Sequence, residues 1–239
     1  MRASARATVL VGAAAALAAA APAPAATVKV EQLVVQRSGK ARQAKVAARK
    51  TRVHVHGEDC AVPSATALAA LALSDPPGLK LHDYGACSGR ARDAGGLFVR
   101  SLGGDANKGT DGWVYKVGRR LATAGAADPS GPFGNGRLDD GVRVTWFYCH
   151  LDPQKHSCQR TLAVGAQQRS AGQLTVHVTA YDDRGKGRPS RNATVHAGGE
   201  KAKTDENGDA ELAVPAGHHR VYATKHGAIR SFTEEVDAS

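Results

Sequence analysis

GWVYKVG at residues 112–118 and VRVTWFYC at residues 142–149 are the two stretches that decide how this chain folds. In each, large apolar residues alternate with others, a period of two that predicts a half-buried β-strand. The rings that share a face are Trp113 with Tyr115 on the first strand and Trp146 with Tyr148 on the second. Cross-strand aromatic pairs stabilise a sheet, and burying such rings anchors a small core. Both stretches are therefore expected to be core strands.

The same rings have a second interpretation, because exposed aromatic faces also bind ligands. Together with Tyr84, part of this surface would form a platform on which a flat ligand or a sugar stacks. The candidate ligand-binding residues are Tyr84, Trp113, Tyr115, Trp146 and Tyr148.

A single helix is expected among these strands, over residues 65–73. Leu68 and Leu71 fall on one face, and Ser64 stands where its side chain caps the first amides. The sequence DPPG at 75–78 ends the helix, since proline disfavours a helical residue before it. The other strand-like pieces lie at 28–36, 52–56, 79–84, 96–102 and 161–164. One helix among short strands is typical of an α+β domain.

All four cysteines lie in this part of the chain, at Cys60, Cys87, Cys149 and Cys158. In an exported protein they indicate two disulfides, for which three pairings are possible. We favour Cys60–Cys87, which ties the start of the helix to the strand and loop after it, and Cys149–Cys158, which closes a short loop.

Metal binding is the alternative for the cysteines and for two histidines. A zinc site using Cys149, Cys158, His150 and His156 departs from the usual close ligand pairs. His54 and His56 are expected to point to the same face of one strand, as a weak copper or zinc pair or as exposed polar residues. We expect no metal ligand and no cofactor.

Residues 1–25 have the features of a secretory signal peptide. Arg2 and Arg6 precede an apolar run from 7 to 21, and small residues surround the expected cleavage site after Ala25. The run is shorter than the roughly 20 residues that cross a bilayer. No later stretch is long and apolar enough to span a membrane, so the protein is expected to be secreted.

The formal net charge of +10 is concentrated near the N-terminus. Residues 27–56 contain eight lysines and arginines and one acid, most of them in a basic segment at 26–51. This segment is either a contact for an anionic polymer, such as cell-wall teichoic acid or a membrane surface, or a solvated linker or edge strand. Nucleic acid is not an expected partner, because the chain is exported and its basic stretch has no stacking aromatic residues.

Residues 52–164 resemble the transcobalamin-like C-terminal domain family. The motifs that carry the resemblance are TALAAL at 66–71, DYG at 83–85, DGWVYKVG at 111–118 and DGVRVTWFY at 140–148. The resemblance implies a β-grasp-like fold, with one helix on a small mixed sheet. In transcobalamin the related domain helps to cover a corrinoid, so the resemblance also implies cobalamin binding as a possible function.

The sequence pattern changes after residue 164. A polar linker is expected at 165–172, followed by a β-rich domain at 173–239 with strands at 174–180, 194–197, 210–214, 220–224 and 229–236. ATV at 193–195, TDENGDA at 204–210 and VPAG at 214–217 are similar to carboxypeptidase-regulatory-like or bacterial Ig-like modules. The similarity implies a β-sandwich that serves as a spacer or adhesion module.

The sequence contains no nucleophile elbow, zincin helix or phosphate-binding glycine loop, so no catalytic residue is assigned. We expect a secreted, non-enzymatic binding or adhesion protein, with a disulfide-stapled β-grasp-like domain followed by an Ig-like sandwich. Its partner would be an extracellular cell-wall polymer or glycan. A carrier of a small molecule of the cobalamin type is the alternative, and a secreted hydrolase is the less favoured one.

Overall fold

A computed structural model of the chain describes residues 27–85, 87, 91–170 and 172–238. The expected signal peptide at 1–25 lies outside these residues. The described chain is mostly β-structure in several sheets, with one α-helix. This confirms the expectation of a largely β fold.

The first part of the chain, residues 29–149, is called here the N-terminal unit. Its elements are β1 (Lys29–Val35), β2 (Ala41–Ala47), β3 (Thr51–Val55), β4 (Glu58–Val62), α1 (Ala67–Leu73), β5 (Lys80–Asp83), a 3₁₀ helix (Ala91–Gly96), β6 (Leu97–Leu102), β7 (Asp105–Ala106), β8 (Gly112–Val117), β9 (Arg120–Leu121) and β10 (Arg143–Cys149).

A five-stranded mixed sheet in the order β2-β1-β10-β8-β9 forms the centre of this unit. β1 runs parallel to β10, and the other neighbours are antiparallel. β3 pairs with β4, and β5-β6-β7 form a third, separate sheet. The expected strands at 112–118 and 142–149 are β8 and β10, and they are adjacent.

β1 lies inside the central sheet, although its residues fell within the basic segment that we expected to precede the domain. Val30, Leu33 and Val34 are buried, on both faces of the strand, as is usual for a strand covered on both sides. β2, which carries Arg42 and Lys45 on exposed positions, is an edge of the sheet. Charged side chains on an edge discourage pairing with other chains, which matches the edge-strand interpretation of the basic segment.

Helix α1 ends where the sequence indicated but begins later. Ala65 has a positive φ of 55°, so the chain cannot enter the helix at Ser64, and Thr66 is the N-cap instead. The Thr66 hydroxyl accepts a hydrogen bond from the amide of Ala69 at 3.2 Å. Leu68 and Leu71 are fully buried in the same core as Trp146.

The second part of the chain, residues 161–238, is called the C-terminal unit. Its strands are β11 (Thr161–Ser170), β12 (Gln173–Tyr181), β13 (Gly187–Pro189), β14 (Thr194–Ala197), β15 (Glu200–Lys203), β16 (Asp209–Ala213), β17 (Gly217–Thr224) and β18 (Glu234–Ala238). β11, β12, β13 and β16 form one sheet, and the order β15-β14-β17-β18 forms the other. Their apolar faces share one core.

Two sequence expectations differ from this arrangement. The residues expected to be a linker at 165–172 continue β11 as far as Ser170, because β11 pairs with β12 along this whole length. The strand expected at 229–236 begins only at Glu234, because Ile229 and Phe232 leave the sheet and pack against Phe147 of β10.

The two units are joined by a buried interface that includes this apolar cluster. Lys116 of β8 is fully buried, and its Nζ donates to the carbonyl of Asp182 at 2.9 Å and lies 3.3 Å from the Asp183 carboxylate. Burial lowers the pKa of Lys116, and the Asp183 carboxylate opposes this shift. Arg143 pairs with Glu31 of its own unit and with both oxygens of Glu234. Such contacts place the units in one fixed arrangement.

Both favoured disulfides are present, Cys60–Cys87 and Cys149–Cys158. The second bond uses both thiols that the zinc alternative required, so that alternative is wrong for Cys149 and Cys158. Each bond ties a loop to a core strand of the N-terminal unit, β4 or β10.

Candidate functional site

Four of the five candidate ligand-binding residues lie in the interior. Trp146 faces Tyr115 across β10 and β8 with stacked rings 5.0 Å apart, and Tyr148 faces Trp113 edge-on at 6.0 Å. All four side chains are buried, with exposed fractions between 1% and 7%. The platform interpretation is therefore wrong for these four residues, which form cross-strand core pairs.

Internal hydrogen bonds hold three of the four buried rings. Trp113 Nε1 donates to the carbonyl of Asp105 at 2.8 Å, and the Tyr148 hydroxyl donates to the carbonyl of Ala106 at 3.1 Å. The Tyr115 hydroxyl donates to the carbonyl of Ala124 at 3.0 Å. Burial, with a smaller contribution from a nearby carboxylate, raises the pKa of Tyr115, so its hydroxyl stays protonated as a donor. These rings have a structural role.

Tyr84, the fifth candidate, is in the opposite environment. Its side chain is 75% exposed, and Phe98 beside it is 41% exposed. They are the two large apolar side chains that the described residues leave exposed. Their rings are neighbours, with centroids 5.9 Å apart, so they form one small exposed apolar patch.

Tyr84 and Phe98 belong to a row of rings that we call the ring strip, made of His56, His82, Tyr84 and Phe98. Successive ring centroids are 5.4, 4.3 and 5.9 Å apart, all in edge-on geometry. His82 and Phe98 stand directly opposite each other in the β5–β6 register. Each ring is supported by its neighbour, so the strip is held in place without being covered.

The alternation of β6 explains why Phe98 is outside. Leu97 and Val99 point into the core, so Phe98 and Arg100 point to the opposite face. Sequence reasoning missed Phe98 and His82. The available signal was a phenylalanine on the polar face of an alternating strand, where a charged or hydroxyl side chain is usual.

A groove of about 710 Å³ opens beside the strip. Its rim includes the rings of His82, Tyr84 and Phe98 and the charged side chains of Arg100 and Asp111. Arg100 makes no ion pair with any described residue. Asp111 accepts hydrogen bonds from the His150 ring at 2.8 Å and from the Leu151 amide at 3.0 Å, and these bonds hold the pKa of Asp111 below its usual range. The groove thus combines apolar ring faces with one free cation and one fixed carboxylate.

The two histidines expected to share a strand face do not do so. β3 ends at Val55, and His56 lies in the following turn with a positive φ of 52°. His54 instead pairs with Asp59 at 3.1 Å, while His56 contacts the ring of His82. Within the described ranges, no three metal-ligating side chains come together.

Comparisons with family models, with curated proteins and with solved structures find no match to this chain. Among the residues with described structure, no helix has the length and apolar character needed to traverse a bilayer.

Proposed function

We propose that this chain is a secreted, non-enzymatic binding or adhesion protein whose ring strip stacks against the sugar rings of an extracellular polysaccharide. The observation that carries the proposal is the pair Tyr84 and Phe98, two neighbouring aromatic rings left exposed at the rim of an open groove. The apolar face of a pyranose ring covers such a ring, while its hydroxyl groups remain solvated or reach polar side chains.

The groove chemistry supports a sugar ligand more than a purely apolar one. Arg100 is available to donate hydrogen bonds, and Asp111 is held as an acceptor at the same rim. Sugar hydroxyl groups form hydrogen bonds with both donors and acceptors. The openness of the strip along one face of the sheet suits an extended polymer that enters and leaves the site at its two ends.

For the architecture, we propose a β-grasp-like N-terminal unit of the transcobalamin-like type and an Ig-like or carboxypeptidase-regulatory-like C-terminal unit. The single helix packed with a mixed sheet supports the first assignment, and the two sheets around one core support the second. Two disulfides support an extracellular location. In this proposal the C-terminal unit holds the binding unit in a fixed orientation.

The test is retention of the purified mature protein on cellulose, chitin, peptidoglycan and dextran. We expect retention on at least one β-linked polymer and none on dextran, whose flexible chain offers no continuous flat face. Replacing both rings, Tyr84→Ala with Phe98→Ala, should weaken binding about fivefold or more, since each stacked aromatic contact contributes about 0.5–1.5 kcal/mol.

Phe133→Ala is the matched control, because Phe133 is a partly exposed ring outside the strip that contacts Arg120. This variant should bind like the unmodified protein. Failure of all four polymers to retain the protein, or equal losses in the control and the double variant, would contradict the proposal. Heat of binding with cobalamin, abolished by the same double variant, would instead favour the small-molecule carrier.

A further inference from the structure

A second groove lies where the two units meet, and it differs in chemistry from the groove at the ring strip. Its volume is about 530 Å³. One wall is the loop after β10, residues 150–160, and the other is formed by residues 180–190 and 225–228 of the C-terminal unit. We call it the junction groove.

Cationic and potentially cationic side chains dominate the lining of the junction groove. They are His150, Lys155, Arg160, Arg188, Lys225 and His226, against the two carboxylates Asp152 and Asp182. Among the described residues that line the groove, no tyrosine, tryptophan or phenylalanine is present. Its contact chemistry is therefore mainly that of charged groups.

Each carboxylate of the junction groove is already paired with a cationic side chain. Asp152 accepts a hydrogen bond from Lys155 Nζ at 2.8 Å, and Asp182 lies 3.6 Å from the guanidinium of Arg160. Asp182 also accepts the main-chain amides of Arg184 and Lys186. These contacts hold the pKa of each carboxyl below its ordinary value, so both acids stay ionised within their own pairs.

The cations that remain are not matched by any carboxylate. Arg188 and His226 make no ion pair with a described residue, and Lys225 Nζ donates only to the main-chain carbonyl of Arg191, at 2.6 Å. The groove consequently has two uncompensated positive charges, those of Arg188 and Lys225. A buried hydroxyl adds to this donor set, since Ser190 is 2% exposed and its Oγ has no hydrogen-bond partner in the described structure.

The fold also holds one wall of the groove in place. Arg160 Nη1 donates to the carbonyls of Ala180 and Lys186, at 3.1 and 3.3 Å, which fixes its guanidinium across the junction. Arg160 therefore shapes the wall, while the planar fork of the unpaired Arg188 matches the oxygens of phosphate and carboxylate groups.

We propose that the junction groove binds an oxyanion group, phosphate or carboxylate, carried by an extracellular polymer. The ligand would contact Arg188 and Lys225 directly and would lie against residues of both units. The groove therefore gives the protein a second, electrostatic contact that does not depend on stacking at the ring strip. None of the residues that line the junction groove belongs to the basic edge strand β2.

The test measures binding of the full mature protein to poly(glycerol phosphate), to polygalacturonate and to neutral dextran by calorimetry at low salt. We expect binding to one or both polyanions and none to dextran, with affinity falling as salt is raised toward 0.2 M. Binding to the phosphate polymer alone or to the carboxylate polymer alone identifies which oxyanion the groove takes.

Two double variants are compared. One removes two positive charges from the junction groove, and the other removes two from the basic segment. Arg188→Ala with Lys225→Met should weaken polyanion binding about tenfold or more, whereas Lys45→Ala with Lys50→Ala, the same charge change on exposed positions of the basic segment, should change it less than about threefold. Arg188→Ala alone, which removes no hydrogen bond of the fold, should already give about a threefold loss.

Equal weakening by the two double variants would overturn the proposal, since it would show that only net charge matters. Absence of binding to both polyanions would overturn it as well. The Tyr84→Ala, Phe98→Ala variant should bind polyanions with full affinity. Failure of the ring-strip proposal and failure of this proposal therefore give different results.

Discussion

The protein places aromatic rings in two opposite environments within one unit. The rings of β8 and β10 are paired across strands in the core, and those of the ring strip, on and beside β5 and β6, stand in a row on the surface. Three of the four buried rings donate to main-chain carbonyls of β7 or of the loop after β9, whereas the ring strip leaves its ring faces uncovered. The first set is committed to holding the sheet together, and only the second is available to a ligand.

The place of a ring in the fold, and not its residue type, therefore decides its role in this unit. On β6, Phe98 shares its face with the charged Arg100, so the strand itself exposes the ring. On β10, Trp146 and Tyr148 lie in a strand that is buried almost along its whole length.

Trp146→Ala should destabilise the protein by about 3–5 kcal/mol, because it removes a fully buried ring and leaves a cavity opposite Tyr115. Equilibrium unfolding in urea measures the change. If this variant does not fold, Trp146→Phe serves instead and should cost less. A loss under 1 kcal/mol for Trp146→Ala would contradict the placement of this ring in the core.

Removing either disulfide should lower the free energy of unfolding. Their loops of 27 and 9 residues predict losses of about 3.5 and about 2.5 kcal/mol through the entropy of the unfolded chain. Unfolding of the Cys60→Ser, Cys87→Ser pair and of the Cys149→Ser, Cys158→Ser pair measures them.

Binding should also distinguish the two disulfides. Cys87 follows Tyr84 by three positions, so the first pair of substitutions should loosen the ring strip and weaken polysaccharide retention. The second pair should affect retention less. The reverse order would indicate that the ligand contacts the loop after β10 and not the strip.

A ring pair of intermediate burial gives a pH test. His196 stacks on Tyr222 at 4.5 Å, and burial together with the charges of Lys201 and Arg230 lowers the pKa of His196 below 6.5. The folded state therefore takes up a proton less readily than the unfolded state, so this contribution to stability is present above about pH 6.5 and is lost on acidification. We expect His196→Phe to flatten the fall in unfolding free energy between pH 7.5 and pH 5.

His218 is the control of opposite sign. Hydrogen bonding to Asp237 raises its pKa, so its contribution is present at acid pH and is lost as the pH rises. His218→Gln should therefore steepen the fall in stability on acidification. Identical pH profiles for the two variants would contradict these assignments.

Tyr84→Ala should change the unfolding free energy by no more than about 0.5 kcal/mol, since three quarters of the side chain is exposed. The same substitution is expected to reduce polysaccharide retention. A large stability loss without a change in retention would show that Tyr84 supports the fold rather than a ligand.

Several parts of this fold could be predicted because local patterns decide them. The alternation in 112–118 and 142–149, the end of α1 before the DPPG sequence and the pairing of the cysteines all match the structure. The start of α1 could not be predicted from residue types alone, because it depends on the positive φ of Ala65.

Other features depend on contacts between distant parts of the chain. Ile229 and Phe232 leave their expected strand to pack on β10. The ammonium group of Lys116 is buried against the carbonyls of residues 181 and 182 and the Asp183 carboxylate, all from the other unit. The ring strip is of the same kind, since His56, Tyr84 and Phe98 come together only when three separate elements fold side by side. Sequence patterning singled out two members of the strip, Tyr84 and His56, and placed each with the wrong neighbours.

The most direct test of the central claim is nitration of tyrosines by tetranitromethane, mapped by mass spectrometry, with and without the polysaccharide among the four tested that retains the protein best. Tyr84 should react much faster than Tyr115 and Tyr148, and the polysaccharide should protect Tyr84 selectively. Fast nitration of Tyr115 or Tyr148, or a reactive Tyr84 that the bound polysaccharide leaves unprotected, would contradict the account.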